Sequence, residues 1–183
     1  MDLLKITKFW RGLDKVASSK IGAPIVEAMR KPTNWGASLL VSTDNENIPW
    51  APFKKPLKQS CLAVVSTAGF YLEGDEPFDV DATHGDASFR TIPSNFDREK
   101  LKIAHTHYPH ARVNDDINVL FPIDRLKELV QAEVISRLSD NFYSFGFGMY
   151  MTEEFIAKPD GSAHQLAKKL KGDGVDYVLM VPA

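Results

Sequence analysis

One cysteine, Cys61, stands in 183 residues. That excludes an intrachain disulfide framework and any zinc site built from several cysteines. Neither sign of charge dominates: 22 Lys and Arg against 24 Asp and Glu leave a formal net charge of -2, no footprint for a nucleic-acid backbone. No apolar run approaches the roughly 18 residues that cross a bilayer. The opening MDLLKITKFWRG has neither the apolar stretch nor the cleavage site of a secretory signal. The expectation is a cytoplasmic protein with no nucleic-acid and no membrane partner. Internal repeats and low-complexity tracts are also missing, and 44% hydrophobic residues are enough for one buried core.

What the chain does have is polar side chains crowded into one stretch, Asp75 to Arg125. Four of its five histidines, His84, His105, His107 and His110, lie there with Asp79, Asp86, Arg90, Asp116, Asn118 and Arg125. Phe78, Phe89, Tyr108 and Phe121 are spaced among them as anchors. A long polar excursion between regular elements is where a compact domain carries its function.

Around it the periodicity points to an α/β fold, a Rossmann-like layered and mostly parallel sheet. Cys61 to Gly69 is a continuous apolar run ending in small residues, as in a buried parallel strand followed by a tight turn. Leu101 to His105 is a shorter strand candidate, and Val175 to Val181 a second buried strand. Ile123, Leu126, Leu129, Val130 and Val134 recur at helical spacing after Pro122. Ser162 is the expected cap of a helix through Lys171, ended by Gly172 or Gly174. Residues 1–47 form a helical lead-in and loop, with an apolar stripe through Leu3, Leu4, Ile6, Phe9, Trp10 and Leu13, and 48–183 the main domain. Three prolines in Pro49 to Pro56 keep that piece extended, with Trp50 and Phe53 as anchors. Ligands in such sheets bind beyond the carboxyl ends of the strands, which puts Ser66 to Gly69, His105 to His107 and Pro182-Ala183 at one rim. An incomplete sheet edge and the apolar lead-in make a homo-oligomer an open option.

Several chemistries fit the excursion. His105 and His107 share a face if the strand runs through them; with Asp116 they would suit a metal-dependent hydrolase. They equally suit proton transfer, or simply hydrogen bonds that hold a loop. Arg90 has the fork to grip a substrate carboxylate, or an ion pair with Asp86 to hold a turn. Asp116 and Asn118 orient a neighbour or shape a solvated turn. Ser66 and Thr67 lack the G-x-S-x-G context of a hydrolase nucleophile. Cys61 begins its strand and reads as a packed thiol.

The blocks Pro49-Trp50, Lys55-Pro56-Leu57, Val64 to Gly69, Pro77-Phe78-Asp79, Gly85 to Pro93, His105-Thr106-His107-Tyr108, Asp116 to Pro122 and Arg125 to Leu129 resemble the selenoprotein B family of glycine, sarcosine, betaine and D-proline reductases. The resemblance implies reductive cleavage of a carbon–nitrogen bond in a small amino-acid-like substrate. A selenocysteine, or a cysteine in its place, attacks the α-carbon. A companion subunit carries a pyruvoyl group for some substrates, and a thioredoxin-type or other dithiol donor supplies electrons. This chain itself is expected to bind no cofactor and no metal.

Inside that family the nucleophile follows the strand matching Val175 to Val181, so it is expected after Ala183, through a UGA codon read as selenocysteine. The chain as it stands is then a truncated, inactive piece. The alternative is a non-catalytic paralogue that binds a partner or small acid. Side-chain chemistry assigns His105 or His107 to proton transfer, and Arg90, Asp86, Asp116 and Asn118 to substrate binding and orientation; His105, His107, Arg90 and Asp116 are expected to converge in one pocket beside the ends of the two buried strands. Glu133 and Ser136 depart from the family, which would place glycines there, and Phe145-Gly146-Phe147-Gly148 departs from its Ser-Phe-Met-Gly.

Overall fold

The computed structural model describes residues 51–82, 85–106, 108–147 and 158–183. The lead-in, Trp50, His84 and His107 lie outside the described residues.

β1 (Cys61–Ser66) is buried at all six positions because it has partners on both sides. β7 (Tyr177–Val181) runs parallel along one side over five residue pairs. On the other side β5 (Arg137–Leu138) meets its start and β6 (Asn141–Phe145) its end, both parallel. β3 (Phe89–Pro93) closes the far edge, antiparallel to β6. The sheet is thus mostly parallel in an α/β fold.

Alternate residues of a strand face opposite sides, and each side finds its own helix. Leu62 and Val64 join Phe142 and the buried Ile123 and Leu126 of α2 (Ile123–Gln131). Val65 joins Tyr143, Phe145 and Leu166 of α3 (Ser162–Gly172). Burying each such aliphatic side chain contributes about 1.5–3 kcal/mol. The first core also holds Phe70, Phe121 and Phe142, with Phe121 5.1 Å from Phe70 and 5.8 Å from Phe142 between ring centres.

Several elements differ from the sequence expectation. The strand expected through His105 stops at Ile103: β4 (Leu101–Ile103) pairs antiparallel with β2 (Phe70–Leu72) in a separate two-stranded ribbon. β7 is a strand but not a buried one; Val178, Leu179 and Met180 are 39%, 36% and 61% exposed, because among the described residues it pairs with β1 alone. Ser162 is the first helical residue and Gly161 occupies the cap. Phe53 is 70% exposed and stacks on Tyr177, 5.1 Å between rings. A short α1 (Ala111–Asp115) lies inside the excursion.

Candidate functional site

The parallel strands end on one rim, and backbone hydrogen bonds hold their exits together. The amide of Thr67 donates to the Val181 carbonyl (3.0 Å), that of Gly69 to Phe145 (2.9 Å) and that of Asp86 to Phe147 (2.8 Å). The Ala183 amide donates to the Thr67 hydroxyl (2.9 Å). Gly69 is required here twice over. Its φ is +71°, and an added Cβ would lie 2.4 Å from the Ala104 carbonyl oxygen, so only glycine lets the β1 exit touch the backbone before His105.

Beyond this rim Asp79, Asp86, His105, Thr106, Phe78 and Phe147 line a narrow cleft of about 10 Å³, room for about one water. His105 is buried, 7% exposed, with the Tyr108 ring 4.8 Å away and the Phe147 ring edge-on at 6.0 Å.

The outer wall is the first half of the excursion, and Arg90 organises it. Its Nε donates to the Glu76 carbonyl (2.6 Å), one terminal nitrogen to the Ser88 hydroxyl (2.7 Å) and the Phe89 carbonyl (3.4 Å), the other to the Pro77 carbonyl (3.2 Å). The guanidinium also lies 4.4 Å over the Phe78 ring, whose far side meets Gly146 so closely that a Cβ there would come within 2.7 Å. The Asp86 carboxylate accepts from the Ser88 amide (2.8 Å), the Ser88 hydroxyl and the Asp79 amide (3.1 Å), and sits 3.9 Å from Arg90. Burial works against its ionisation. The bonds from Ser88 and Asp79 and the charge of Arg90 outweigh it, holding the carboxyl below the usual aspartate range.

Asp116 and Asn118 are elsewhere. The Asn118 side chain donates to Asp116 (2.8 Å) and Asp124 (2.9 Å) and accepts from the Asp124 amide (3.0 Å), while Arg98 pairs with Asp124. This lattice fixes the start of α2. Asp116 lines a different hollow, about 470 Å³, with Arg98, Lys102 and His110 over the β2–β4 ribbon. The structure therefore brings Asp86, Arg90 and His105 together and leaves Asp116 and Asn118 out, so the expected four-residue convergence with Asp116 does not occur. The reason is local: the amide and carboxylates of Asn118, Asp116 and Asp124 satisfy one another first.

Among the described residues no group of three or more His, Cys, Asp or Glu side chains is gathered as metal ligands would be, and none of their helices is long and apolar enough to cross a membrane. Cys61 is buried, and burial pushes its thiol pKa up, although Arg137 opposes that; such a thiol is a poor nucleophile. The His105 to Tyr108 block and Phe147, both tied to the pocket by the family resemblance, do meet here: Thr106 and Phe147 line the cleft and the Tyr108 ring packs on His105. Sequence reasoning missed Val80 and Ala82 in its lining.

Residues 31–183 match the family described as glycine/sarcosine/betaine reductase selenoprotein B. The chain belongs to that family. It is 33% identical over 131 residues to the D-proline reductase subunit gamma of Acetoanaerobium sticklandii, an alignment covering 72% of this chain and 52% of that protein. The chain thus spans about half the length of the curated relative it matches, and no solved structure matches it. The resemblance read from the sequence is therefore confirmed. Within the family blocks, Gly85 to Pro93 builds the cleft wall and Asp116 to Pro122 the entry to α2.

Proposed function

We propose that this chain is the selenoprotein B-type subunit of an amino-acid reductase, acting on glycine, sarcosine, betaine or D-proline, and that the Asp86–His105 cleft is its half of the active site. Family membership carries the class of reaction. One structural observation supports the location: the turn after β1 is hydrogen-bonded at Thr67 to Val181 and Ala183 and at Gly69 to Ala104, next to His105 of the cleft, so a chalcogen nucleophile following Ala183 would emerge at the rim that carries the cleft.

In the reaction the carbon–nitrogen bond breaks, a carbon–hydrogen bond replaces it and the amine leaves with a proton; the two electrons and two protons come from a dithiol that becomes a disulfide. His105, buried beside carboxylates, holds or delivers the proton. Asp86 stays ionised and attracts a cationic amine, and Arg90 keeps the wall in place. Because most of its donors already serve backbone carbonyls and Ser88, Arg90 acts on the substrate through Asp86 rather than as a free clamp. A substrate larger than water requires the wall that carries Asp79 and Asp86 to move outward. The companion subunit holds the pyruvoyl group where one is used, so no residue of this chain is assigned to it; the dithiol donor approaches from the same rim.

Two measurements test this reading. A UGA codon after Ala183 in an open frame, with cysteine substitution there giving a longer, thiol-reactive protein, supports it. An ordinary stop codon would instead favour a non-catalytic module that binds a partner or small acid. In the assembled reductase, His105→Gln should lower kcat about 100-fold, while Asp116→Asn leaves it near the parent value.

A further inference from the structure

We infer that Tyr108 is a positioning residue which, with His110, braces the His105 imidazole in one orientation and tautomer at the cleft. The inference deepens the proposed site and matters to turnover only if His105 moves the proton.

Three rings are joined by two tilted contacts that share Tyr108. Its ring centre lies 4.8 Å from that of His105 at 47° and 4.8 Å from that of His110 at 55°. A ring held only by dispersion slides; this one is pinned, because its hydroxyl donates to the Ala68 carbonyl at 2.8 Å. Ala68 is itself immobilised at the β1 exit: its amide donates to the Ser66 hydroxyl (3.2 Å), and the carbonyl of its neighbour Gly69 accepts from Ala104 (2.9 Å). The trio is thus tied at both ends of the Ala104–His105 step. At the outer end the His110 ring is hydrogen-bonded to the backbone of His105, while its Nε2 is buried with no partner.

That orphaned nitrogen needs an account, since an unmet buried acceptor costs free energy. Burial lowers the His110 pKa, and protonation would add a donor at Nε2 for which the described residues offer no acceptor; both favour the neutral ring beside Tyr108. Asp79 and Asp86 line the same cleft as His105. A brace that fixes which ring nitrogen is turned toward the cleft fixes where the proton sits.

The test is 15N NMR of the imidazole nitrogens on the intact chain, with the exposed His164 of α3 as internal control. Tyr108→Leu should move the His105 tautomer ratio toward that of free imidazole, leaving His164 unchanged. Tyr108→Phe keeps the ring, loses only the tie to Ala68, and should give a smaller change in the same direction. If Tyr108→Leu does not fold, Tyr108→Phe decides. A His105 signal identical to the parent in any folded variant overturns the brace. That failure is separable from failure of the functional reading. Turnover indifferent to His105→Gln sinks the catalytic role without touching the brace, and an unresponsive His105 sinks the brace without touching the role.

Discussion

Two polar clusters built from the same kinds of side chain stand a short way apart along this chain, and only the first lines the cleft that holds His105. Asp86, Ser88 and Arg90 form the first, Asp116, Asn118, Asp124 and Arg98 the second. Both satisfy carboxylates with amides and a guanidinium. The first spends its donors on the carbonyls of an irregular segment and on Phe78, pulling that segment over the exits of β1 and β6 beside a buried histidine. The second spends them on the opening turn of a helix, at the surface. Side-chain chemistry alone does not make a site; the strand ends beneath it do.

The largest way to break the contrast is Gly69→Ala. The new methyl would enter the Ala104 carbonyl at a φ that alanine rarely adopts, so a loss of about 3 kcal/mol is expected. Urea denaturation measures it. The same variant should disturb the His105 signal in NMR and leave the Asn118 side-chain amide where it was. Next comes Arg90→Lys, which keeps the charge but not the fork. A single ammonium reaches one carbonyl where the guanidinium reached several, so about 2 kcal/mol is expected to go. Amide exchange should quicken across 76–88 with little change in α2. Asn118→Ala is the mirror experiment: loss of its hydrogen bonds to Asp124 should cost about 1 kcal/mol, as for a helix cap. Exchange should then quicken at the start of α2 while the cleft wall stays protected.

The sequence revealed β1, α2, the class of fold and the family, because a continuous apolar run and a 3.6-residue period survive any context. It could not separate β7 from a buried strand: Tyr177 to Val181 is as apolar as β1, and burial is set by neighbours rather than by the segment. β2 and β3 escaped notice for a related reason. Phe70–Leu72 is too short to show a period, and Phe89–Pro93 carries Arg90 and ends in proline, as edge strands do. In the site, Asp86, Arg90 and His105 were legible from residue type, whereas the separation of Asp116 depended on which partner Asn118 finds in three dimensions.

Acid sharpens the comparison from the side of the cleft. The folded-state pKa of Asp86 is depressed, so its contribution to stability is present above the unfolded value, near 3.9, and is lost as pH falls through the lower folded value. Stability measured from pH 5 downward should therefore decline less steeply in Asp86→Asn than in the parent. An equal slope would show that Asp86 is not held by its hydrogen bonds. At neutral pH this linkage makes no difference to the slope, which places the effect below those above.

The smallest effect has the opposite sign. α2 and α3 end in the same geometry. In each, the residue two past the helix donates to the carbonyl of the helix's penultimate residue: Glu133 to Val130 and Gly174 to Lys171. The next residue reaches one carbonyl further back: Val134 to Leu129 and Val175 to Leu170. That is a paired C-terminal cap, and it requires positive φ at its pivot. α3 supplies Gly174 at +67°, while α2 supplies Glu133 at +56°, where the family resemblance leads one to expect glycine. A side chain in that region costs about 1–2 kcal/mol, and glycine gives back part of the gain, about 0.5–1 kcal/mol, through its freer unfolded chain. Glu133 is exposed, so nothing else is lost. Glu133→Gly should stabilise the protein by about 0.5 kcal/mol, seen as a higher urea midpoint at unchanged slope. Because it lies at the far end of α2 from Asn118, it should leave both polar clusters as they are. A lower midpoint would show that the Glu133 side chain has a role that its exposed position does not reveal.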